Sequence, residues 1–294
     1  MYTARRVALR HIIPFTWKAV LFFVGYSTAI CIVYVLTKWP LLTVPFLPIG
    51  TIGTAVAFYV GFKNNSAYDR LWEGRRIWGS LVNASRSWSL MVLDYVGNFQ
   101  ADAPASDETR TVQRQLIYRH LAYLNALRFQ LRRQSVWQGH TGAERTIIDH
   151  IDAFHLEALD RELCQFVPAD EADYIIKRQN PATHLIRQQS AQLRELRASG
   201  HLSDYYHVEM ERMLVEFYTQ QGACERIKTF PFPRQYAFFS YLFVWLFILL
   251  LPFGLLNEMV KIGGIHLWLT VPFYTIIAWV FNTMEVVGDT SENP

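Results

Sequence analysis

The chain has 294 residues, of which 51% are hydrophobic, 15% aromatic and only 18% charged, against about 25% charged in an ordinary soluble domain. A net charge of +3, with no basic stripe interleaved with base-stacking aromatics, excludes a nucleic-acid binder. The apolar residues gather at the two ends while the long middle is charged and helix-periodic, so the pattern points to a membrane domain interrupted by a soluble one.

The first candidate span covers residues 15–36. Lys18 is its only charge and lies near the start, where a long side chain reaches the interface. The apolar run is too long for a signal peptide and lacks a small-residue cleavage site. A second span, residues 41–62, carries no charge at all. Within it Thr54, Phe58 and Phe62 recur every four residues and share a helical face. Gly53, Ala57 and Gly61 form an adjacent stripe of small residues, of the kind that lets helices approach closely in a membrane. From spacing alone the aromatic face suits a pore lining, ordinary packing or a lipid contact.

Residues 63–236 hold amphipathic stretches and little sign of strand alternation. Val112, Leu116, Ile117, Leu121, Leu124 and Leu127 follow helical spacing, and Tyr205, Val208, Met213, Leu214 and Phe217 follow it again. Breaks are expected between 97 and 109, at Pro168, at Asn180-Pro181 and at Ser199-Gly200. The scattered histidines His120, His140, His150, His155, His184, His201 and His207 form no metal spacing, and no nucleophile elbow or P-loop appears. An enzyme is therefore not expected. Cys31, Cys164 and Cys224 lack paired spacing and read as small buried side chains, not as a disulfide framework or zinc site.

Two further spans, residues 237–256 and 265–284, contain Pro252 and Pro272 as candidate kinks. No span has an ionisable residue near its middle, which suits a passive pore with an apolar constriction better than a coupled transporter. Arginine and lysine flank the first span's start, the second's end and the third's start. The opposite loops hold only Lys38 and Lys261. Both termini and the middle are thus expected in the cytoplasm, in an inner (plasma) membrane crossed four times. Three parts follow: 1–62 with spans one and two, 63–236 as a cytoplasmic helical region, and 237–294 with spans three and four and a cytoplasmic tail.

After span two the chain reads Gly61-Phe62-Lys63-Asn64-Asn65-Ser66-Ala67-Tyr68-Asp69-Arg70-Leu71-Trp72-Glu73-Gly74-Arg75, then Trp78-Gly79. This resembles the bestrophin family, especially its bacterial members. Pro231-Phe232-Pro233-Arg234-Gln235-Tyr236, Met284-Glu285-Val286, Gly288-Asp289 and Ser291-Glu292-Asn293-Pro294 extend the likeness over nearly the whole chain. The resemblance implies an all-α membrane protein that assembles with itself as a homopentameric ion channel in the lipid bilayer. Four transmembrane helices would be joined to a large cytoplasmic helical bundle. It places the pore neck at Thr54, Phe58 and Phe62, where Thr54 replaces a larger apolar residue and makes that layer easier to wet. It places a cytoplasmic aperture after Asn180-Pro181, with Thr183 and Leu185 as candidates.

Selectivity stays open, because such channels include anion and cation conductors. Ring edges of Phe58 and Phe62 pointing into the pore favour chloride-like anions, and Lys63 and Arg70 near the inner mouth add to that. The alternative for the charged residues is mutual pairing of Arg70, Arg75 and Arg76 with Asp69 and Glu73. Animal relatives bind calcium beyond the last span, but Asp289 and Glu292 supply too few oxygens for the six to eight that calcium takes. The chain's end at Pro294 falls where an acidic run would follow. No cofactor and no metal are expected. A monovalent-cation channel and a membrane-anchored helical interaction module are the rival readings.

Overall fold

The computed structural model describes residues 9–97, 107–133, 158–230 and 232–291, with 9–15 and 290 as backbone. In chain order the helices are α1 (Leu9–Thr37), α2 (Phe46–Tyr95), α3 (Asp107–Arg132), α4 (158–163), α5 (Ala169–Ile176), α6 (Pro181–Ala198), α7 (Asp204–Thr229), α8 (Arg234–Ile262) and α9 (Thr270–Thr290). Turns of 3-10 helix at Pro40–Leu42 and Gly264–Leu269 precede α2 and α9. No strand occurs among the described residues. Among the described residues, four helices are long and apolar enough to cross a membrane: Thr16–Thr37, Pro40–Tyr95, Arg234–Ile262 and Gly264–Asp289.

Prolines shape the beginnings of the second and fourth membrane helices. The second span, expected from residue 41, runs from Pro40, with a 3-10 turn first and α2 itself beginning at Phe46, just past Pro45. A proline disfavours helical backbone in the residue before it, here Val44. Pro272, expected as a kink, lies in the first turn of α9, where its missing N–H has no helical acceptor to leave unpaired. Pro252 does sit inside α8. Nearby, the Tyr26 hydroxyl donates to the Leu249 carbonyl at 3.0 Å.

The chain divides into two compact units, Met1–Trp72 with Phe232–Pro294, and Glu73–Pro231. The core of the first joins Phe23 of α1, Ile49, Val56 and Val60 of α2, Val244, Phe247, Ile248 and Leu251 of α8, and Tyr274 and Ala278 of α9. Two glycines set its helix spacing. A Cβ on Gly53 would lie 2.5 Å from the Phe247 ring, and one on Gly254 would lie 2.9 Å from Ile49 and 3.4 Å from the Phe46 backbone.

The second unit packs Trp88, Leu116, Tyr123, Leu127, Leu163, Ile175, Leu193, Met210 and Phe217 into one core. Its helix ends carry the signals read from the sequence. Asn180 caps α6 by accepting from the Thr183 N–H at 3.1 Å, with Pro181 as first helical residue. At the other end Gly200, at φ +80°, permits a left-handed cap: His201 N–H bonds the Leu196 carbonyl at 2.9 Å and Gly200 N–H bonds that of Arg197 at 3.1 Å. Arg119 of α3 holds Glu171 of α5 through two bonds of 2.6 and 2.9 Å. Cys31 and Cys224 are buried as expected, but Cys164 is exposed. His140, His150, His155 and Glu292 lie outside the described residues.

Candidate functional site

The first half of α2 has two faces of opposite fate. Ile49, Gly53, Val56, Val60, Lys63 and Ala67 recur every three or four residues and are all buried. On the other side Leu47, Thr51, Thr54, Phe58, Phe62, Asn65, Asp69 and Trp72 keep the same rhythm and are all exposed. Phe58 and Phe62 are 68% and 64% exposed, so two large aromatic rings lie uncovered by the chain's own helices. Large apolar rings left exposed together mark a contact with lipid, a partner or a pore.

The small-residue stripe splits between these faces. Gly53 is buried and receives the Phe247 ring, whereas Ala57 and Gly61 are exposed and a Cβ added at Gly61 meets nothing within 4 Å. Thr54 turns its hydroxyl back along the helix, donating to the Gly50 carbonyl at 3.0 Å. The hydroxyl hydrogen is thereby engaged, and the oxygen presents lone pairs outward.

Lys63, one of the two basic residues expected near the inner mouth, does not stand free at the surface. It is 2% exposed, with its ammonium 2.5 Å from Glu285 and 2.6 Å from Asp289, both on α9. The second Glu285 oxygen accepts from the Ser240 hydroxyl of α8 at 2.8 Å. A buried ammonium so matched by carboxylates ties three helices together and projects little field. Next to it, a Cβ on Gly288 would lie 2.8 Å from Asn64 Oδ1, so any larger residue at 288 would push that amide aside. The segments beginning at Gly61 and at Met284, read separately in the sequence, meet here. Glu285 and Ser240 were missed as partners, although an acid in an apolar helix is itself a signal that a partner exists.

A family model described as Bacterial/Fungal Bestrophin protein matches residues 5–294. The chain belongs to the bestrophin family. A voltage-dependent anion channel-forming protein of Mesorhizobium japonicum is 26% identical over 277 residues, covering 92% of this chain and 75% of the relative. The voltage-dependent anion channel-forming protein YneE of Escherichia coli K12 is 24% identical over 273 residues, covering 92% and 76%. A solved bacterial bestrophin homologue from Klebsiella pneumoniae has a TM-score of 0.75 at 22% identity, over 94% of this chain and 87% of that one. At that identity the likeness speaks for the fold.

The remaining bestrophin-motif residues have varied settings. Asn65, Tyr68, Asp69, Trp72 and Arg75 are exposed, while Asn64, Ser66, Arg70 and Glu73 are partly buried. Glu73 accepts from Arg226 of α7 at 2.9 Å, and Arg70, Trp72 and Arg75 are also engaged. Asp69 makes no side-chain hydrogen bond or ion pair among the described residues, so the alternative of pairing with neighbouring arginines is not met at Asp69. The two aperture candidates have different settings. Leu185 is fully buried in the core beside Ile186 and Leu193, so it cannot line an opening. Thr183 is partly buried, accepting from Gln221 at 2.9 Å through its hydroxyl and from Tyr218 at 3.0 Å through its carbonyl.

Proposed function

We propose that the chain is one subunit of a homopentameric ion channel in the inner (plasma) membrane, with both termini cytoplasmic. On this reading residues 1–62 and 237–294 hold the membrane helices and residues 63–236 the cytoplasmic region. The observation that carries it is the exposed strip of Thr54, Phe58 and Phe62 on a helix whose opposite side is fully packed. One such helix cannot enclose a conduit, so copies must contribute it jointly. The exposed Ala57 and Gly61, beside the strip, suit close approach by a neighbouring copy of α2. Phe58 and Phe62 then form apolar layers that dry when narrow.

The permeating ions are chloride-like anions, in keeping with the relatives named as anion channel-forming proteins. Monovalent cations are the second reading, favoured by the outward lone pairs of Thr54. In proteoliposomes, Phe58→Ala is expected to raise basal anion flux several-fold while the protein stays folded. Unchanged flux would place the ring against lipid. Vesicles that stay tight with wild-type protein would instead favour a membrane-anchored interaction module.

A further inference from the structure

We propose that Asp69 sets the charge preference of the inner mouth, as one carboxylate per subunit directed into the conduit below the neck. This rests on the pore reading above and gives that site an acidic ring instead of a basic one. Asp69 lies seven residues after Phe62. Seven residues return to the same helical face within about 20° and advance it by about 10 Å. It shares the exposed face of Thr54, Phe58, Phe62 and Asn65.

The neighbouring charges do not cancel it. Lys63 is buried between Glu285 and Asp289, and Arg70 is partly buried and engaged. Glu73 is bound by Arg226. Arg76 is exposed and continues the register, but about 10 Å farther along α2, beyond a Debye length of about 8 Å at physiological salt. The Asp69 side chain makes no hydrogen bond or ion pair among the described residues. Rings of aspartate at a pore mouth enrich cations and deplete anions. In an anion channel the ring therefore restrains anion entry from the cytoplasmic side and favours current in one direction.

Reversal potentials of the full chain in planar bilayers under a sodium chloride gradient test this. Asp69→Asn is expected to raise the anion-to-cation permeability ratio by up to about tenfold, the low end of what a charged cleft does to local ion concentration. Asp69→Lys goes further, and Asp69→Glu, which keeps the charge, stays at the wild-type value. The difference should fade between about 0.01 M and about 1 M salt, as the Debye length shrinks from about 30 Å to about 3 Å. If Phe58→Ala alters conductance while Asp69→Asn and Asp69→Lys leave reversal potential and rectification unchanged, the acidic ring is wrong and the pore stands. If Phe58→Ala also changes nothing, the pore reading fails and takes this one with it.

Discussion

Lys63 and His120 are both buried titratable side chains, 2% and 5% exposed, and the two units hold them in opposite ways. The membrane unit keeps its ammonium by bringing up partners: Glu285, itself bonded by Ser240, and Asp289, whose side chain is half exposed. The helical unit surrounds the His120 imidazole with Trp88, Tyr123 and Phe217 and gives it one hydroxyl, Ser85 Oγ at 2.9 Å. Burial pushes that ring's pKa from 6.5 down to about 4, so it stays neutral. One unit pays for a charge with counter-charges, and the other discharges a polar ring. The first device should be brittle to mutation and the second to acid.

The largest expected effect comes from removing the ammonium. Lys63→Met strands the buried Glu285 carboxylate beside Ser240 alone, and breaking a buried pair in this way costs about 3–5 kcal/mol. The unfolding midpoint in detergent should drop sharply. Replacing the pair together, as Lys63→Met with Glu285→Leu, should recover most of the loss, because no uncompensated charge remains. A single Lys63→Met variant as stable as wild type would show that the cluster does not brace α2.

Acid separates the units next. Above pH 6.5 the His120 ring is neutral whether the chain is folded or not. As pH falls from 6.5 towards about 4, the unfolded chain takes up a proton that the folded unit refuses. Stability contributed by the neutral ring is thus lost across that window, by about 3 kcal/mol in total. His120→Gln keeps a hydrogen-bonding group for Ser85 without a titration, so its unfolding midpoint should fall less steeply over the same window. Equal slopes in both proteins would assign the acid sensitivity elsewhere.

How much of this was legible in sequence depends on the range of the cause. The spans could be read because a run of about 20 apolar residues is a local signal. The breaks at Asn180-Pro181 and Ser199-Gly200 were legible for the same reason, and the structure makes them helix caps. The exposed strip of α2 was visible as a period of four, but not its exposure, since Val56 and Val60 are as apolar as Phe58 and are buried. Lys63 was misread because its partners lie 222 and 226 residues away. Leu185 was misread because one apolar residue at a helix start does not reveal which way it faces; the core of the second unit decides that.

The smallest expected effect tests whether the membrane unit's dependence on fit extends beyond its ion cluster. Gly53 and Gly61 lie on the same helix, eight residues apart, and either would gain about 1 kcal/mol of helix propensity as alanine. At Gly53 that gain is opposed by the Phe247 ring, 2.5 Å from the new Cβ and held against Phe281 at a centroid distance of 4.7 Å. Overpacking of this kind costs about 1–3 kcal/mol, so Gly53→Ala should be neutral to destabilising. At Gly61 nothing among the described residues, apart from its chain neighbours and the nearby backbone of its own helix, lies within 4 Å of the new Cβ, so Gly61→Ala should stabilise the isolated subunit slightly. The unfolding midpoint of dissociated subunits in detergent should therefore rise for Gly61→Ala and stay level or fall for Gly53→Ala. A loss at Gly61 that appears only in the assembled protein would place that glycine against a neighbouring copy, whereas a loss in both states would mean that the chain's own helices crowd it.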